Sequence, residues 1–565
     1  MNSYHSESLL VHFRRIEALR AEAIDLKSVD LSPRQLCDLE LLLNRGFYPL
    51  GGYLTKKEYN SVVSSMRLPD GEVWPMPINL DIKKIFAQTI RAGERIALND
   101  QEGFLLAILT VEDVWQPDKH VEAKAIYGTD DPTLHPGVRQ LYDRNGDWYV
   151  GGSLEGVSLP IHYDFRDLRL TPSETARTFA MNGWRRVLGF HTDDYLHCAL
   201  REMVLNAARE HSAALFLQPV ADLTHPGALE YYTQIRCYQA FARKFPSNML
   251  KLGLTPFASR KAGPVEALWQ AITRKNFGCS HFMVAPDHAD PFTKDNSNKR
   301  FYQEASAQEL VARYAKETGV EMVPQLEIGY QQSTKKYILL KDNNNADVST
   351  ISSTELRHKL LKGEHIPEWF SYPEIVSELQ KSFPPRTKQG LTIFLTGFSG
   401  SGKSTIAKVL LVKFMEMNDR PVTLLDGDIV RQNLSSELNF SKEHRNLNIT
   451  RIGFVASEIT KNGGIALCAP IAPYEESRQA NRELISSYGG YIEVHIATPL
   501  EVCEQRDRKG LYAKARAGKV KGVTGITDPY INPSNPELTI DTSNMTPMEA
   551  VQEILLYLEE QGYLK

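Results

Sequence analysis

The stretch from residue 390 to residue 405 restricts the fold of this chain more than any other. An apolar run, Leu391 to Leu395, is typical of a buried strand. It leads directly into Gly397-x-x-x-x-Gly402-Lys403-Ser404, and a helical pattern begins near Thr405. A glycine-rich loop between a strand and a helix is typical of a phosphate-binding loop, in which backbone N–H groups point at phosphate oxygens. The stretch therefore predicts a nucleoside triphosphate site.

The side chains of the loop indicate how a triphosphate is held. Lys403 places a positive charge near the β- and γ-phosphates, and the hydroxyl of Ser404 can ligate Mg²⁺, the expected cofactor. The predicted ATP-binding residues are those of the loop and of the start of the helix: Gly397, Ser399, Gly400, Ser401, Gly402, Lys403, Ser404 and Thr405.

A second group of polar residues follows the next strand-like run, Pro421 to Leu425. Asp426 and Asp428 come directly after it, and Arg431 follows shortly. Ligands gather at the carboxyl ends of strands in α/β folds, so an acidic residue there can hold a metal or accept a proton, while an arginine receives an anion. On spacing alone, a turn followed by a solvated arginine explains the same residues.

Length and composition narrow the class of protein. The 565 residues exceed what one hydrophobic core supports, which indicates three or four domains. A net charge of -4 gives no electrostatic reason to expect a nucleic-acid partner. The 6 cysteines lack the C-x-x-C spacing of a zinc ribbon, and neither a long apolar run nor an N-terminal signal occurs. We therefore expect a cytoplasmic protein with reduced thiols and no membrane contact.

The pattern of strand-like runs, helical runs and turn signals changes along the chain and predicts a multidomain α/β protein. Turn signals separate short strand-like runs up to residue 165, where one helix stands out, with Ser32 as N-cap and Pro33 in its first turn. Strand-like and helical runs then alternate; a helix from Leu196 to Glu210 follows a strand from Arg186 to Phe190. The predicted domains are β-rich (1–165), doubly wound α/β (166–325), a small connecting domain with a linker (326–385) and a phosphate-loop domain (386–565).

Residues 388 to 565 resemble adenosine-5′-phosphosulfate (APS) kinase. Besides the phosphate loop, the matching blocks are Asp426-Gly427-Asp428-x-x-Arg431, Phe440-Ser441, Arg445-x-x-Asn448, Pro473-Tyr474, Thr498 to Asp507, Lys509 to Gly518, Thr524 to Ile526 and Asp528-Pro529-Tyr530. Together they are far more specific than the loop alone. The resemblance implies a P-loop kinase that transfers the ATP γ-phosphoryl group to the 3′-hydroxyl of APS, giving 3′-phosphoadenosine-5′-phosphosulfate (PAPS).

The same resemblance implies roles for individual residues. The acceptor nucleotide is expected to bind Arg431, Arg445 and Asn448, with its adenine stacked on Phe440, and the segment from Lys509 to Lys521, which includes Lys514, forms a basic lid. The expected catalytic residues are Lys403, Asp428 and Asp426. Of these, Asp428 orients or deprotonates the 3′-hydroxyl, while Asp426, with Ser404, lies nearer the metal. Val523 departs from the family, which has a second aromatic residue there to stack on the base.

Residues 1 to 385 resemble ATP sulfurylase, which makes APS from ATP and sulfate. Matching blocks include Asn44 to Leu50, Tyr231 to Tyr238 and Ala262 to Trp269, which implies a PUA-like N-terminal domain followed by a nucleotidyltransferase-like domain. The family's Gln-x-Arg-Asn, His-x-x-His and Gly-Arg-Asp-His motifs read His191-Thr192-Asp193-Asp194, His197-Cys198-Ala199-Leu200 and Ala285-Pro286-Asp287-His288. An aspartate in place of the sulfate-binding arginine repels a dianion. We therefore expect this half to be inactive.

Several readings of the whole chain stay open. In the favoured one, an active APS kinase is joined to a silent sulfurylase-like scaffold that holds a homo-oligomer together or binds a regulatory nucleotide. The alternatives are a bifunctional enzyme, a kinase for a related nucleotide, for which Val523 is the motive, and a sensor without catalysis. The pocket formed by the three altered ATP sulfurylase motifs could also take a cationic substrate, or a metal bound by His191 and His197.

Overall fold

A computed structural model describes residues 8–192, 194–220, 229–292, 300–340, 347–507, 510–520 and 522–564. The chain forms two compact units. The N-terminal unit comprises the residues up to Leu356 together with Ile366–Ser382, and the C-terminal unit comprises Arg357–His365 together with Phe383–Lys565. The division into four domains at residues 165, 325 and 385 stays a prediction, because contacts separate only these two units.

The N-terminal unit begins with a mixed sheet of six strands. Their order is β1-β4-β5-β6-β2, with β3 also paired to β6, and only β1 and β4 are parallel. The strands are β1 (Lys27–Asp30), β2 (Gly52–Tyr53), β3 (Leu80–Ile82), β4 (Arg95–Asn99), β5 (Leu105–Trp115) and β6 (Trp148–Gly156). The helices of this region are α1 (Phe13–Ala23), α2 (Pro33–Leu43), α3 (Lys56–Ser65), α4 (Lys84–Ala87), α5 (Lys119–Tyr127) and α6 (Pro136–Asp143).

Helix α2 confirms the helix predicted near the start of the chain. The Ser32 side chain accepts a hydrogen bond from the backbone of Gln35, whose own side chain accepts from the backbone of Ser32, so two otherwise unpaired N–H groups are satisfied. Pro33 occupies the first turn, where its missing N–H costs nothing. The leucines of α2 are buried in the core.

A parallel sheet of five strands follows and confirms the doubly wound fold. Its strand order is β11-β10-β7-β8-β9. The strands are β7 (Val187–Phe190), β8 (Ala214–Leu217), β9 (Leu250–Leu252), β10 (His281–Val284) and β11 (Glu321–Pro324). Helix α7 (Pro172–Met181) precedes β7, and the helices between the strands are α8 (Cys198–Glu210), α9 (Leu229–Ala242), α10 (Gly263–Asn276) and α11 (Ser306–Thr318). This alternation places helices as crossovers between parallel strands.

A small antiparallel sheet and two helices complete the unit. The strands are β12 (Ile328–Gln331), β13 (Lys336–Leu339) and β14 (Val348–Ser349). Helix α12 (Ser353–Lys362) contains the boundary between the two units, and α13 (Pro373–Ser382) packs on α9.

The C-terminal unit is a parallel sheet of five strands with helices between them. The strand order is β16-β17-β15-β18-β19. The strands are β15 (Leu391–Gly397), β16 (Val422–Asp426), β17 (Ile465–Ala469), β18 (Gly490–Ile496) and β19 (Leu538–Ile540). The helices are α14 (Lys403–Met417), α15 (Gly427–Asn433), α16 (Lys442–Lys461), α17 (Glu475–Ser486), α18 (Leu500–Arg506), α19 (Leu511–Arg516) and α20 (Pro547–Glu560). Central β15 is buried along its whole length, as its apolar sequence predicts.

Within the part of the chain that the structure describes, no helix combines the length and apolarity needed to span a bilayer.

Candidate active site

The phosphate loop joins β15 to α14 at the carboxyl edge of the C-terminal sheet. Gly397 and Gly400 have φ angles of +146° and +79°, which L side chains rarely adopt. A Cβ on Gly397 would lie 2.4 Å from the carbonyl oxygen of Ile496, and one on Gly400 would lie 3.1 Å from that of Cys503. The loop therefore needs glycine at both positions to curl toward a phosphate at the start of α14.

The Lys403 side chain is buried beneath this loop. Its ammonium group donates hydrogen bonds to the carbonyl oxygens of Gly397 at 2.9 Å and Phe398 at 2.6 Å. Ser404 and Thr405 follow it in the first turn of α14 with exposed side chains. These bonds hold the lysine ammonium group against the loop, and the exposed side chain of Ser404 leaves its hydroxyl accessible.

Three residues that sequence analysis did not assign to the site fasten the loop. Tyr512 donates its hydroxyl to the carbonyl oxygen of Ser399 at 2.8 Å, and Thr542 donates to that of Ser401 at 2.9 Å. Arg506 in turn donates to the Thr542 hydroxyl at 2.9 Å. Arg506 and Tyr512 lie in blocks that resemble APS kinase, so a signal for them existed, but their contacts span distant parts of the sequence.

Asp426 and Asp428 lie where β16 ends and α15 begins. One carboxylate oxygen of Asp426, Oδ1, accepts the backbone N–H of Asp428 at 3.1 Å and caps α15. The other oxygen, Oδ2, is buried and has no hydrogen-bond partner in the described part of the chain. A buried carboxylate oxygen without a partner is costly unless a cation or water fills the position, so this residue suits a site next to Mg²⁺. Asp428 itself is exposed.

The predicted acceptor-binding residues lie on the other side of the same cavity. The Arg431 guanidinium stacks 4.3 Å from the ring centroid of Phe440, whose side chain is 62% exposed. Burial and the neighbouring Arg445 guanidinium lower the pKa of Arg431. Oδ1 of the buried Asn448 lacks a hydrogen-bond partner among the residues described. An exposed aromatic ring, a guanidinium and an unsatisfied amide are suited to a polar aromatic ligand.

Arg445 does more than face the cavity. Its guanidinium donates to the Thr524 hydroxyl and to the Phe440 carbonyl oxygen, both at 2.8 Å, and pairs with Asp528 at 3.0 Å. It also donates to the carbonyl oxygen of Gly522. Arg445 therefore ties α16 to the loop formed by residues 522–528, which we call the acceptor loop.

One cavity of about 780 Å³ connects the two sides. The predicted site residues that line it are Ser399, Gly400, Gly402, Lys403, Ser404, Thr405, Asp426, Asp428, Arg431, Phe440, Arg445 and Asn448. Val523 also lines it and packs with Cys503, Tyr512 and Ala515. Gly397 and Ser401 do not line the cavity, and Lys514 is exposed on α19. Lys509 and Lys521, the ends of the expected lid, lie outside the described residues.

In the N-terminal unit, His197 serves as the N-cap of α8. Its Nδ1 accepts the backbone N–H of Leu200 at 3.1 Å, and its ring stacks on Phe370 with 5.3 Å between centroids. Burial lowers the pKa of His197. Leu200, where the family has a second histidine, is buried. Asp193 lies outside the described residues, while Asp194 is exposed.

A buried arginine that sequence analysis missed lies beside His191. The Arg274 guanidinium, on α10, lies 2.8 Å from Nδ1 of His191 and donates to Oε1 of Gln270 at 3.2 Å. The same Gln270 oxygen lies 3.0 Å from Nε2 of His288. Because a guanidinium only donates, Nδ1 of His191 must accept, and that atom is not available to a metal. Burial raises the pKa of Asp287.

Comparison with known proteins assigns each region to a family. The PUA-like domain profile matches residues 5–159, the ATP-sulfurylase profile residues 166–382 and the adenylylsulphate kinase profile residues 389–541. Sulfate adenylyltransferases of Coccidioides immitis and Chaetomium globosum are similar, at 47% and 48% identity over 97% of this chain and 96% of each relative.

A solved structure described as hexameric APS kinase from Thiobacillus denitrificans matches 99% of this chain and 98% of its own length, with a TM-score of 0.81 and 37% identity. The similarity covers both units rather than the phosphate loop alone. This chain therefore belongs to the family of fused ATP sulfurylase/APS kinase proteins.

Proposed function

We propose that the C-terminal unit is an active APS kinase. The observation that carries the proposal is the single cavity in which the phosphate loop, the acidic pair and the Arg431–Phe440 stack all converge. In the reaction, the 3′-oxygen of APS attacks the γ-phosphorus of ATP, the bond from that phosphorus to the β,γ-bridging oxygen breaks, and ADP leaves. The hydroxyl proton must be removed as the new bond forms.

The residues in the cavity divide this work between charge neutralisation and proton transfer. Lys403 would neutralise the β- and γ-phosphates once its ammonium group leaves the loop carbonyls, and the Ser404 hydroxyl and Asp426 Oδ2 would hold Mg²⁺ or its water ligands. When bound, Mg²⁺ supplies positive charge that offsets the negative charge of the phosphate oxygens. The exposed carboxylate of Asp428 orients the 3′-hydroxyl and accepts its proton.

We propose further that the N-terminal unit does not make APS. Three features support this proposal. Nδ1 of His191 accepts a hydrogen bond from Arg274, His197 caps a helix, and Leu200 stands where the family has a histidine. The relative from Thiobacillus denitrificans, similar over its whole length, is described as an APS kinase. The bifunctional alternative is favoured by the relatives at 47% and 48% identity, which are named for sulfate adenylyltransferase.

Assembly and acceptor choice complete the proposal. Because that solved relative is hexameric, we propose a hexamer for this chain, held through its N-terminal unit. Val523 leaves Phe440 as the one aromatic plate of the predicted pair, and this favours, as a second candidate, a kinase that accepts nucleotides related to APS.

The experiment that tests the proposal uses the purified full chain. With ATP, Mg²⁺ and APS we expect ADP and PAPS; with APS and pyrophosphate we expect no ATP. A Lys403→Ala variant should form PAPS about 10²–10³-fold more slowly. It serves as a control for the second reaction because its N-terminal unit is unchanged. ATP formed from pyrophosphate by both proteins would establish the bifunctional enzyme. PAPS at the same rate from both would contradict the role of the phosphate loop.

A further inference from the structure

A group of metal-ligating side chains meets at the amino edge of the parallel sheet in the N-terminal unit. His211 directly follows α8, while His281 and Glu321 are the first residues of β10 and β11. These strands pair in parallel with His281 opposite Glu321. Three segments that are distant in sequence therefore bring two imidazoles and one carboxylate together.

The distances within this group suit a shared ligand. Glu321 Oε2 lies 3.2 Å from Nε2 of His281, and Glu321 Oε1 lies 3.8 Å from Nδ1 of His211. One ligand atom from each of the three residues lies within 4.8 Å of the others. In a tetrahedral zinc site, bonds of 2.0–2.2 Å place neighbouring ligand atoms about 3.3 Å apart. The two measured separations, 3.2 Å and 3.8 Å, lie on either side of that value.

A second hydrogen-bonded layer orients one of the imidazoles. Ser280 Oγ lies 2.8 Å from Nδ1 of His281 and accepts the backbone N–H of Val187 at 3.0 Å. Without a metal, Nε2–H of His281 donates to the Glu321 carboxylate. When an ion replaces that proton, the fixed hydroxyl can accept Nδ1–H, which leaves the Nε2 lone pair of His281 for the ion. Metal-binding histidines characteristically have their second nitrogen held by such a partner.

Burial and charge around the group complete its description. The His281 side chain is buried, that of His211 is partly buried and that of Glu321 is 63% exposed, so a bound ion would keep contact with solvent. Arg186, which donates to the carbonyl oxygen of His211 at 3.2 Å, opposes positive charge at His281 and weakens cation binding. A neutral imidazole pair with one anionic ligand still compensates a divalent ion in part.

We propose that His211, His281 and Glu321 bind one divalent transition-metal ion of the Zn²⁺ class, with water as the fourth ligand. Two nitrogen ligands and one carboxylate suit Zn²⁺ and its neighbours and do not suit Mg²⁺ or Ca²⁺, which take oxygen ligands. An ordinary hydrogen bond accounts for His281 and Glu321, but it does not account for His211 on the other carboxylate oxygen.

The position of the site indicates a structural or regulatory ion. His191 and His288 follow the carboxyl ends of β7 and β10, whereas this group lies at the amino edge, about 13 Å away along strands of four residues. The ion would join the end of α8 to two strands. It would thereby stabilise the N-terminal unit whether or not that unit has a catalytic activity.

The test uses the full chain, stripped with a chelator, free of nucleotide and in excess Mg²⁺ to occupy oxygen-donor sites. Titration with Co²⁺ should produce the visible absorption of a four-coordinate site at one ion per chain, and Zn²⁺ should displace it and raise the midpoint of thermal unfolding. Glu321→Gln, a substitution at an exposed residue, should weaken binding by more than about tenfold, and Ser280→Ala by about tenfold.

His120→Gln is the matched control. His120 also lies near a carboxylate, with Nδ1 3.5 Å from Oδ2 of Asp130, but it is exposed and outside the group, so Co²⁺ binding should not change. His281→Gln should abolish the absorption; if it unfolds the chain, Glu321→Gln still decides. The proposal is wrong if the unmodified chain gives no four-coordinate spectrum, or if Glu321→Gln and His120→Gln bind Co²⁺ equally well.

Discussion

Lys403 is the residue whose role in catalysis can be tested most directly. Its ammonium group is held by the loop carbonyls in the structure, and in the proposed reaction it moves to the phosphates. Removing one preorganised charge at a transition state costs about 10²–10³-fold in kcat. We expect a loss of that size in Lys403→Ala when PAPS formation is measured with saturating ATP and APS.

Lys408→Ala provides the control for Lys403, because it removes the same charge from an exposed position on the same helix, α14. Its kcat should match that of the unmodified chain. Equal losses in both variants would mean that general positive charge on α14, rather than a specific phosphate contact, explains the effect.

Single residues could be predicted where they belong to a short motif, but not where their role depends on a contact with a distant part of the sequence. Spacing marks Lys403, Asp426 and Arg431 as candidates because each follows a strand in a short motif, although a turn and a solvated arginine also explain the last two. It could not identify Arg274, whose contact with His191 spans 83 residues, since one arginine in a helical pattern reads as an ordinary surface residue. A similar limit applies to Tyr512, which reaches the phosphate loop across 113 residues.

At the scale of elements, periodicity predicted the order of strands and helices better than their ends. The strand, loop and helix around residue 397 are confirmed as β15 and α14. The helix expected from Leu196 begins instead at Cys198, because His197 turns its side chain back to accept the N–H of Leu200. A histidine cap gives no sequence signal as strong as that of serine or aspartate.

The contact between α16 and the acceptor loop makes a prediction about positioning. Arg445 holds Thr524, Asp528 and the Phe440 carbonyl at once, so Arg445→Ala should release the loop. Hydrogen bonds to a charged group contribute about 1.5–3 kcal/mol each, and loss of one or two should raise KM for APS by at least about tenfold. Hydrogen exchange of residues 522–528 should also accelerate.

Arg451→Ala on the same helix is the comparison for Arg445. Arg451 pairs with Glu437 at 2.7 Å in a partly exposed position and does not line the cavity. It should leave both KM and loop exchange unchanged. If Arg445→Ala raised KM while loop exchange stayed slow, Arg445 would act on APS directly and not through the loop.

At the scale of the whole molecule, length and the alternation of strand-like and helical runs predicted a multidomain α/β protein. The family comparison identifies a PUA-like, an ATP-sulfurylase and an adenylylsulphate kinase region. Sequence could not show that contacts group them into two units, because α12 carries the chain from one unit into the other without a break in its helical pattern. Nor could a pattern of single residues reveal the histidine and glutamate group, whose members come from three elements.

The proposed hexamer can be tested by surface substitutions in each unit. Ile161 and Tyr163 are 61% and 81% exposed in one segment of the N-terminal unit, whereas Phe454 is 60% exposed on α16 of the C-terminal unit. Exposed apolar residues close together indicate a surface that another protein covers. An aspartate substituted into such a surface would become buried on assembly without a partner for its charge, and this opposes assembly. Light scattering should give six times the chain mass of 63.8 kDa for the unmodified protein and for Phe454→Asp. The double variant Ile161→Asp, Tyr163→Asp should give a smaller species that retains PAPS formation. Dissociation by Phe454→Asp alone would instead assign the assembly to the kinase unit.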